Sequence, residues 1–272
     1  MKETLQKIEN IKENGYYLGF GEVVEQTINN FKKTALIQGV VLLVVLIIFT
    51  IVAGSVAGLA YGLGSITEYF TDIAVNEVST VALLVQFGVS VIAAGIAAPF
   101  TAGLLKMAHN AEENRQVEFS TVFDYYKSTY IKDLFLTGIL ISLFLSGLGT
   151  VINLVIQSYP SGPLFIFLII FSFLLNVLVP ILTIFAIPLV VFGNLSATEA
   201  IKGSIVVTKQ KFWTILALSL VLGICALLGF FGFCIGIFFT IPLLYSAIYI
   251  MYRTAIGIEE KTDLDEIGIT TA

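Results

Sequence analysis

The sequence predicts an all-α integral membrane protein. Its six transmembrane helices form three two-span repeats, each preceded by a cytoplasmic amphipathic helix, with both termini cytoplasmic. Three observations predict this. The 272 residues are 57% hydrophobic and 12% charged, with mean hydropathy +0.97. Soluble domains carry roughly 25% charged residues, so about half the charge of a water-facing surface is missing. Several apolar runs exceed the ~20 residues that a helix needs to cross a hydrocarbon core of about 30 Å. Finally, all 14 Lys and Arg residues fall in alternate connections between those runs.

The spans are expected at 35–58, 80–105, 134–156, 163–192, 213–229 and 232–254. Backbone groups in lipid need internal partners, so each long run reads as a helix. A β-barrel would show short alternating segments instead. The residues before the first span carry charges throughout and no apolar core, which excludes a cleaved signal peptide. Lys2, Lys7, Lys12, Lys32 and Lys33 precede the first span. Lys106, Arg115, Lys127 and Lys132 separate spans two and three, and Lys202, Lys209 and Lys211 separate spans four and five. Arg253 and Lys261 close the chain. The positive-inside rule makes these connections cytoplasmic. The first outer connection carries Glu68, Asp72 and Glu77 instead. Trp213, Tyr125, Tyr126 and Tyr130 fall at the inner boundary, where aromatic belts belong. The last two spans are separated only by Gly229, Phe230, Phe231 and Gly232, a tight hairpin.

The repeat shows in the segments that lead into the membrane. A shift of 99 residues places Phe20 on Phe119, Val23 on Val122, Val24 on Phe123, Phe31 on Tyr130, Lys33 on Lys132 and Gly39 on Gly138. A third segment carries Ala197, Ala200, Ile201, Ser204, Ile205 and Thr208 on one face. Apolar or small residues at this spacing make the stripe of an amphipathic helix. Polar residues lie opposite: Glu22, Glu25 and Asn29; Asp124, Lys127 and Ser128; Glu199 and Lys202. Ser196 with Glu199 forms a capping box for the third copy. Three unrelated segments remain the alternative, because short apolar patterns match easily. The even spans also carry prolines, Pro99, Pro188 and Pro242, each expected to bend its helix by removing a donor and crowding the preceding turn. The units then run over 18–105, 117–192 and 196–256 within one membrane domain, 1–256, followed by an acidic, mobile tail, 257–272. Two spans per unit give all copies the same orientation, a parallel rather than an inverted repeat.

The third unit carries Ser204 on a small-residue helix, then Lys209, Phe212 and Trp213, then Pro242 and the Tyr252–Arg253 pair. In these residues the chain resembles the bacterial membrane-domain family that includes the membrane part of glycerophosphoryl diester phosphodiesterase. The resemblance implies a six-helix membrane module in the bacterial cytoplasmic (inner) membrane. The soluble phosphodiesterase domain of that family, with its carboxylate and histidine metal site, has no counterpart here, so its activity does not carry over. Mitochondrial carriers share three two-span repeats, but their prolines sit in odd spans and precede charges. Carotene monooxygenases need several histidines for iron, and this chain has one, His109.

Apart from Arg253 at the cytoplasmic edge of the last, no Asp, Glu, Lys, Arg or His lies inside any expected span, although such residues mark ion and proton pathways. The polar groups there, Gln38, Gln86, Asn153, Asn176, Thr183 and Ser219, read as interhelical hydrogen-bond formers. His109, Glu112 and Glu113 have the spacing of a metal pair on one helix face, but a charged solvated face is the simpler reading. Cys225 and Cys234 flank the outer hairpin and read as packing residues rather than a disulfide. Gly54, Gly58, Gly88 and Gly95 would permit close helix approach. No metal, cofactor or catalytic set is expected, nor a nucleic-acid partner at a net charge of −5.

Lys32, Lys33, Lys132, Lys209 and Lys211 sit where each amphipathic helix meets its span. There they suit anionic headgroups at about 1 kcal/mol per charge, or they only set topology. The expected function is a non-catalytic membrane module that binds lipid or another membrane protein. The alternative is a permease or exporter of an apolar or lipid-like solute.

Overall fold

The computed structural model describes residues 1–61, 80–231 and 236–258. The acidic connection with Glu68, Asp72 and Glu77, as well as Gly232, Cys234 and the tail beyond Ile258, lies outside the described residues, as do the surroundings of Gly58. In chain order the described helices are α1 (Lys2–Asn14), α2 (Phe20–Tyr61) and α3 (Thr80–Glu112), a 3-10 helix (Phe119–Tyr126), then α4 (Ile131–Ser158) and α5 (Pro163–Leu182). There follow α6 (Ala186–Val191), α7 (Ala197–Gln210), α8 (Phe212–Leu227), a 3-10 turn (Leu228–Phe231), α9 (Gly236–Thr240) and α10 (Pro242–Ile256). Six helical stretches are long and apolar enough to cross a membrane: Phe20–Val52, Thr80–Glu112, Ile131–Ser158, Pro163–Val191, Phe212–Phe231 and Gly236–Ile256. This is a multi-pass membrane protein.

The last span is the most buried and the third and fourth the least, so α10 forms the centre and α4 and α5 the flank. α8 turns one stripe inward, Ile215, Leu218, Leu222 and Ala226, at helical spacing. Among the described helices α3 and α4 share the most extensive contact, with Gly95, Ala98 and Gly138 within it. A Cβ on Gly138 would lie 2.8 Å from the Ala94 carbonyl carbon, and one on Gly103 would lie 2.6 Å from the backbone of Val122. Small residues here let backbones touch. Of the glycines singled out by spacing, Gly95 faces Phe135 at 2.8 Å, whereas Gly54 and Gly88 face open space.

Buried residues gather in the half of each span nearest the lysines, the basic end of the bundle. Among the described residues the far halves keep scattered ones, such as Leu83, Ile152 and Ala226. Leu46 to Val52 of α2 are exposed on every face. α1 caps the basic end: Ile8 and Ile11 join the core, Ile8 seats against Gly203 of α7, and Thr4 Oγ1 donates to the Gly193 carbonyl at 2.9 Å.

The three lead-in segments differ from one another. The first is not a separate helix: α2 runs unbroken from Phe20, because Phe31, Lys32, Lys33 and Thr34 include no Gly or Pro to stop it. The second is the 3-10 helix Phe119–Tyr126, rich in Ser, Thr, Asp and aromatic residues of modest helix propensity. Only the third, α7, is an independent α-helix, and its capping box is present. It is sandwiched between α1 and the bundle rather than laid open along the membrane. The prolines also differ. The helix breaks ahead of Pro188, at 183–185, and at Ile241 ahead of Pro242, but α3 continues through Pro99.

Candidate functional site

α2 presents Gln26, Asn29, Asn30 and Lys33 at helical spacing toward the last turn of α3. The final carbonyls of α3 have no partners within the helix. Asn114, with φ 55, turns the chain in the left-handed region, and the Arg115 N–H returns to Asn110 O at 2.8 Å. α2 supplies further donors. Asn30 Nδ2 donates to Ala108 O at 2.7 Å, and Lys33 Nζ donates to Ala111 O at 3.1 Å and Asn114 Oδ1 at 2.8 Å. Arg253 of α10 completes the junction by binding the Glu112 carboxylate and, at 2.6 Å, Gln26 Oε1. These groups surround a niche of about 150 Å³ lined by Gln26, Asn29, Asn30, Lys33 and Glu112.

A polar ladder continues from the niche into the bundle: Thr27, Asn30, Thr34 and Gln38, all buried. Gln38 Nε2 donates to Leu104 O at 2.9 Å, and the Thr34 hydroxyl lies 3.4 Å from that of Ser246. Asn30 Oδ1, Gln38 Oε1 and Thr27 Oγ1 have no partner among the described residues. Of the polar residues expected to bridge helices, Gln38 does so. Asn153, Asn176 and Thr183 instead bond to carbonyls one turn back in their own helices, Gln86 is exposed, and Ser219 Oγ is buried without a partner among the described residues. A carbonyl one turn back is the nearest acceptor for a short side chain on a helix.

His109, Glu112 and Glu113 do not converge. His109 Nδ1 lies 3.1 Å from the Tyr249 hydroxyl and Nε2 lies 3.3 Å from Glu113, with the ring against Phe192. Glu113 also meets Arg115 at 2.8 Å, and Glu112 turns to Arg253. Among the described residues no three His, Cys, Asp or Glu side chains are grouped to hold a metal ion. Cys225 is exposed rather than packed.

The interfacial lysines separate into two kinds. Lys32, Lys132 and Lys209 are exposed and have no ion pair among the described residues. Lys33 caps α3, and Lys211 is half-buried at the joint of α7 and α8. Trp213 stands two residues beyond Lys211, 78% exposed. Around the second lead-in Phe119 and Phe123 are exposed, Tyr126 Oη donates to Ile96 O at 2.7 Å, and Lys106 pairs with Asp124 at 3.0 Å.

Residues of the third unit join the pieces together. The break after α5 frees backbone groups, and Ser204 of α7 takes two: it donates to Leu182 O at 2.8 Å and accepts from the Phe185 N–H at 3.0 Å. At the start of α7 the Ala197 N–H donates to Asp133 Oδ1 at 3.2 Å. Glu199 accepts from the Ser196 hydroxyl at 2.6 Å and from the Ser196 N–H at 3.1 Å, bonds that hold its carboxyl below the usual range, aided by Lys202. Tyr130 reaches Asn194. Tyr252 is fully buried against Phe185 and Phe192.

No family model, curated protein or solved structure matches the chain.

Proposed function

We propose that this protein is a non-catalytic membrane module that holds anionic lipid at its basic end, with that end and both termini on the cytoplasmic side. One observation carries the reading: Lys32, Lys132 and Lys209 point outward without ion-pair partners among the described residues, at the level where the apolar spans begin. Each such charge near an anionic surface contributes about 1 kcal/mol. Trp213, exposed beside Lys209 and Lys211, suits the same interface. The likeness of Ser204, Lys209, Trp213, Pro242 and Arg253 to the phosphodiesterase membrane-domain family accords with a module of this kind.

The three-unit repeat belongs to the same proposal. Phe20 and Phe119 are equally exposed, at 42%, and Val23 and Val122 are both buried. Phe31 and Tyr130 both pack on the core, and Ala200, Ser204 and Thr208 are buried in the third copy. Val24 packs on the core whereas its counterpart Phe123 is exposed, so the units share their burial pattern in part and their backbone conformation less.

The test is lipid retention in the purified protein, read by native mass spectrometry at fixed salt because the attraction is screened. Changing Lys32, Lys132 and Lys209 together to Gln should reduce co-purified anionic lipid severalfold. Unchanged retention removes the headgroup role. The polar ladder Thr27–Asn30–Thr34–Gln38, with its unpartnered oxygens, favours a permease as the second reading. Saturable solute uptake into proteoliposomes would place that reading first.

A further inference from the structure

The niche between α2 and α3 offers more than charge. Lys33 uses two of its three N–H donors on Ala111 and Asn114, leaving one for a ligand. Asn29 is exposed with no hydrogen bond among the described residues, and Gln26 has only its oxygen engaged, by Arg253. Glu112 Oε2 has a single long contact, 3.5 Å from Asn30 Nδ2. The niche thus combines free donors with acceptor capacity on a carboxylate. Lys33 and Arg253 against Glu112 leave one net positive charge. An anion fits that balance only if part of it donates hydrogen bonds to Glu112, since an all-acceptor anion would face the carboxylate unfavourably.

The surroundings indicate where such a ligand comes from. Asn29, Lys33, Leu36 and Val40 follow at i, i+4, i+7 and i+11, along one face of α2. Leu36 and Val40 are 72% and 40% exposed, so an open apolar track runs from the niche toward the membrane. Polar niche and apolar track together have the layout of a phospholipid. The niche, about 150 Å³, has room for about five waters, or for a glycerol arm of about six non-hydrogen atoms.

We propose that this niche is a selective site for an anionic phospholipid with a glycerol-type headgroup. The phosphodiester sits on Lys33 and the Gln26 amide, the headgroup hydroxyls donate to Glu112 and Asn29, and an acyl chain lies along Leu36 and Val40. This rests on the anionic-lipid reading above and adds selectivity to it. A phosphatidic acid lacks the donating arm, and an ethanolamine headgroup lacks the net charge.

The full chain, delipidated in detergent, would be titrated with dioleoyl phosphatidylglycerol, dioleoyl phosphatidic acid, dioleoyl phosphatidylethanolamine and free glycerol 1-phosphate, and read by native mass spectrometry. The proposal expects phosphatidylglycerol to be held about threefold to tenfold more tightly than phosphatidic acid, the worth of one or two hydrogen bonds. Asn29→Ala, which removes no hydrogen bond among the described residues, should erase most of that preference while phosphatidic acid binding stays. Glu112→Gln should do the same, and if that variant fails to fold the Asn29 result stands alone. Equal binding of the two anionic lipids, or a preference that survives Asn29→Ala, overturns the selective site and leaves the general reading intact. Competition by glycerol 1-phosphate at concentrations similar to the lipid's overturns the lipid source. No binding of either anionic lipid overturns both readings.

Discussion

Ser204→Ala tests how the fourth span survives its own break. The helix stops at Leu182 and restarts at Ala186, ahead of Pro188, and Ser204 bonds to one group on each side. Alanine deletes both bonds. Phe185 is fully buried, so its N–H would be stranded at a cost of about 1–3 kcal/mol, and the less buried Leu182 carbonyl adds about 0.5–1.5 kcal/mol. The expected loss is about 1.5–4.5 kcal/mol. Trp213, the chain's only tryptophan, begins the helix that follows α7 and reports its environment. Its fluorescence during titration of SDS into detergent micelles measures the loss. Thr208→Val is the control: Thr208 lies one turn further along α7, buried, with no partner for its hydroxyl among the described residues. Removing that hydroxyl should be neutral or stabilising. Ser204→Ala within about 0.5 kcal/mol of wild type, the range of inert surface changes, would refute the reasoning.

Three further expectations follow from other parts of the molecule. Gly138→Ala places a Cβ 2.8 Å from the Ala94 carbonyl carbon and 3.1 Å from Ala98 Cβ, so it should cost about 1–3 kcal/mol in the same titration, while Gly54→Ala, in open space, should not destabilise. The Glu199 carboxyl is held below its ordinary value chiefly by the Ser196 hydroxyl, so its contribution is present above the unfolded-state pKa and lost as pH falls through the lower folded value. Acidification below the usual glutamate range should therefore loosen α7 in wild type, seen as faster amide exchange at its first turn, and Glu199→Gln should remove that pH dependence. A cysteine at Ser161 should label from outside intact cells and one at Ser120 should not, given the one-sided lysines; outside labelling at Ser120 contradicts the orientation.

What the sequence makes legible is the period and the punctuation. Long apolar runs mark the six spans, and Ser196 with Glu199 marks the start of α7, because both signals are local. Neighbours are not local. Nothing in the spacing shows that Lys33 caps α3, that Asn30 meets Ala108, or that Ser204 mends a break twenty residues upstream. Gly103 and Gly138 look no different from Gly54 and Gly88 until the facing backbone is known. The lead-in at Phe20 reads as a separate amphipathic helix because its face changes from charged to apolar, but a change of face is not a break, and α2 continues. α1 escapes notice since only Thr4, Ile8 and Ile11 turn inward from a charged segment. Within the candidate site, Lys132 and Lys209 keep the exposure expected of them, while Lys33 and Lys211 are drawn into joints between helices.

The measurement that bears most directly on lipid held at the basic end uses Trp213, exposed beside Lys209 and Lys211. In proteoliposomes, phospholipids brominated near the headgroup end of the chain quench an indole only on contact. If the basic end gathers anionic lipid, brominated phosphatidylglycerol should quench Trp213 at a lower mole fraction than brominated phosphatidylcholine. That preference should fade when Lys32, Lys132 and Lys209 become Gln, and when salt is raised. Equal quenching by the two lipids, or a preference indifferent to the lysines, would contradict the account.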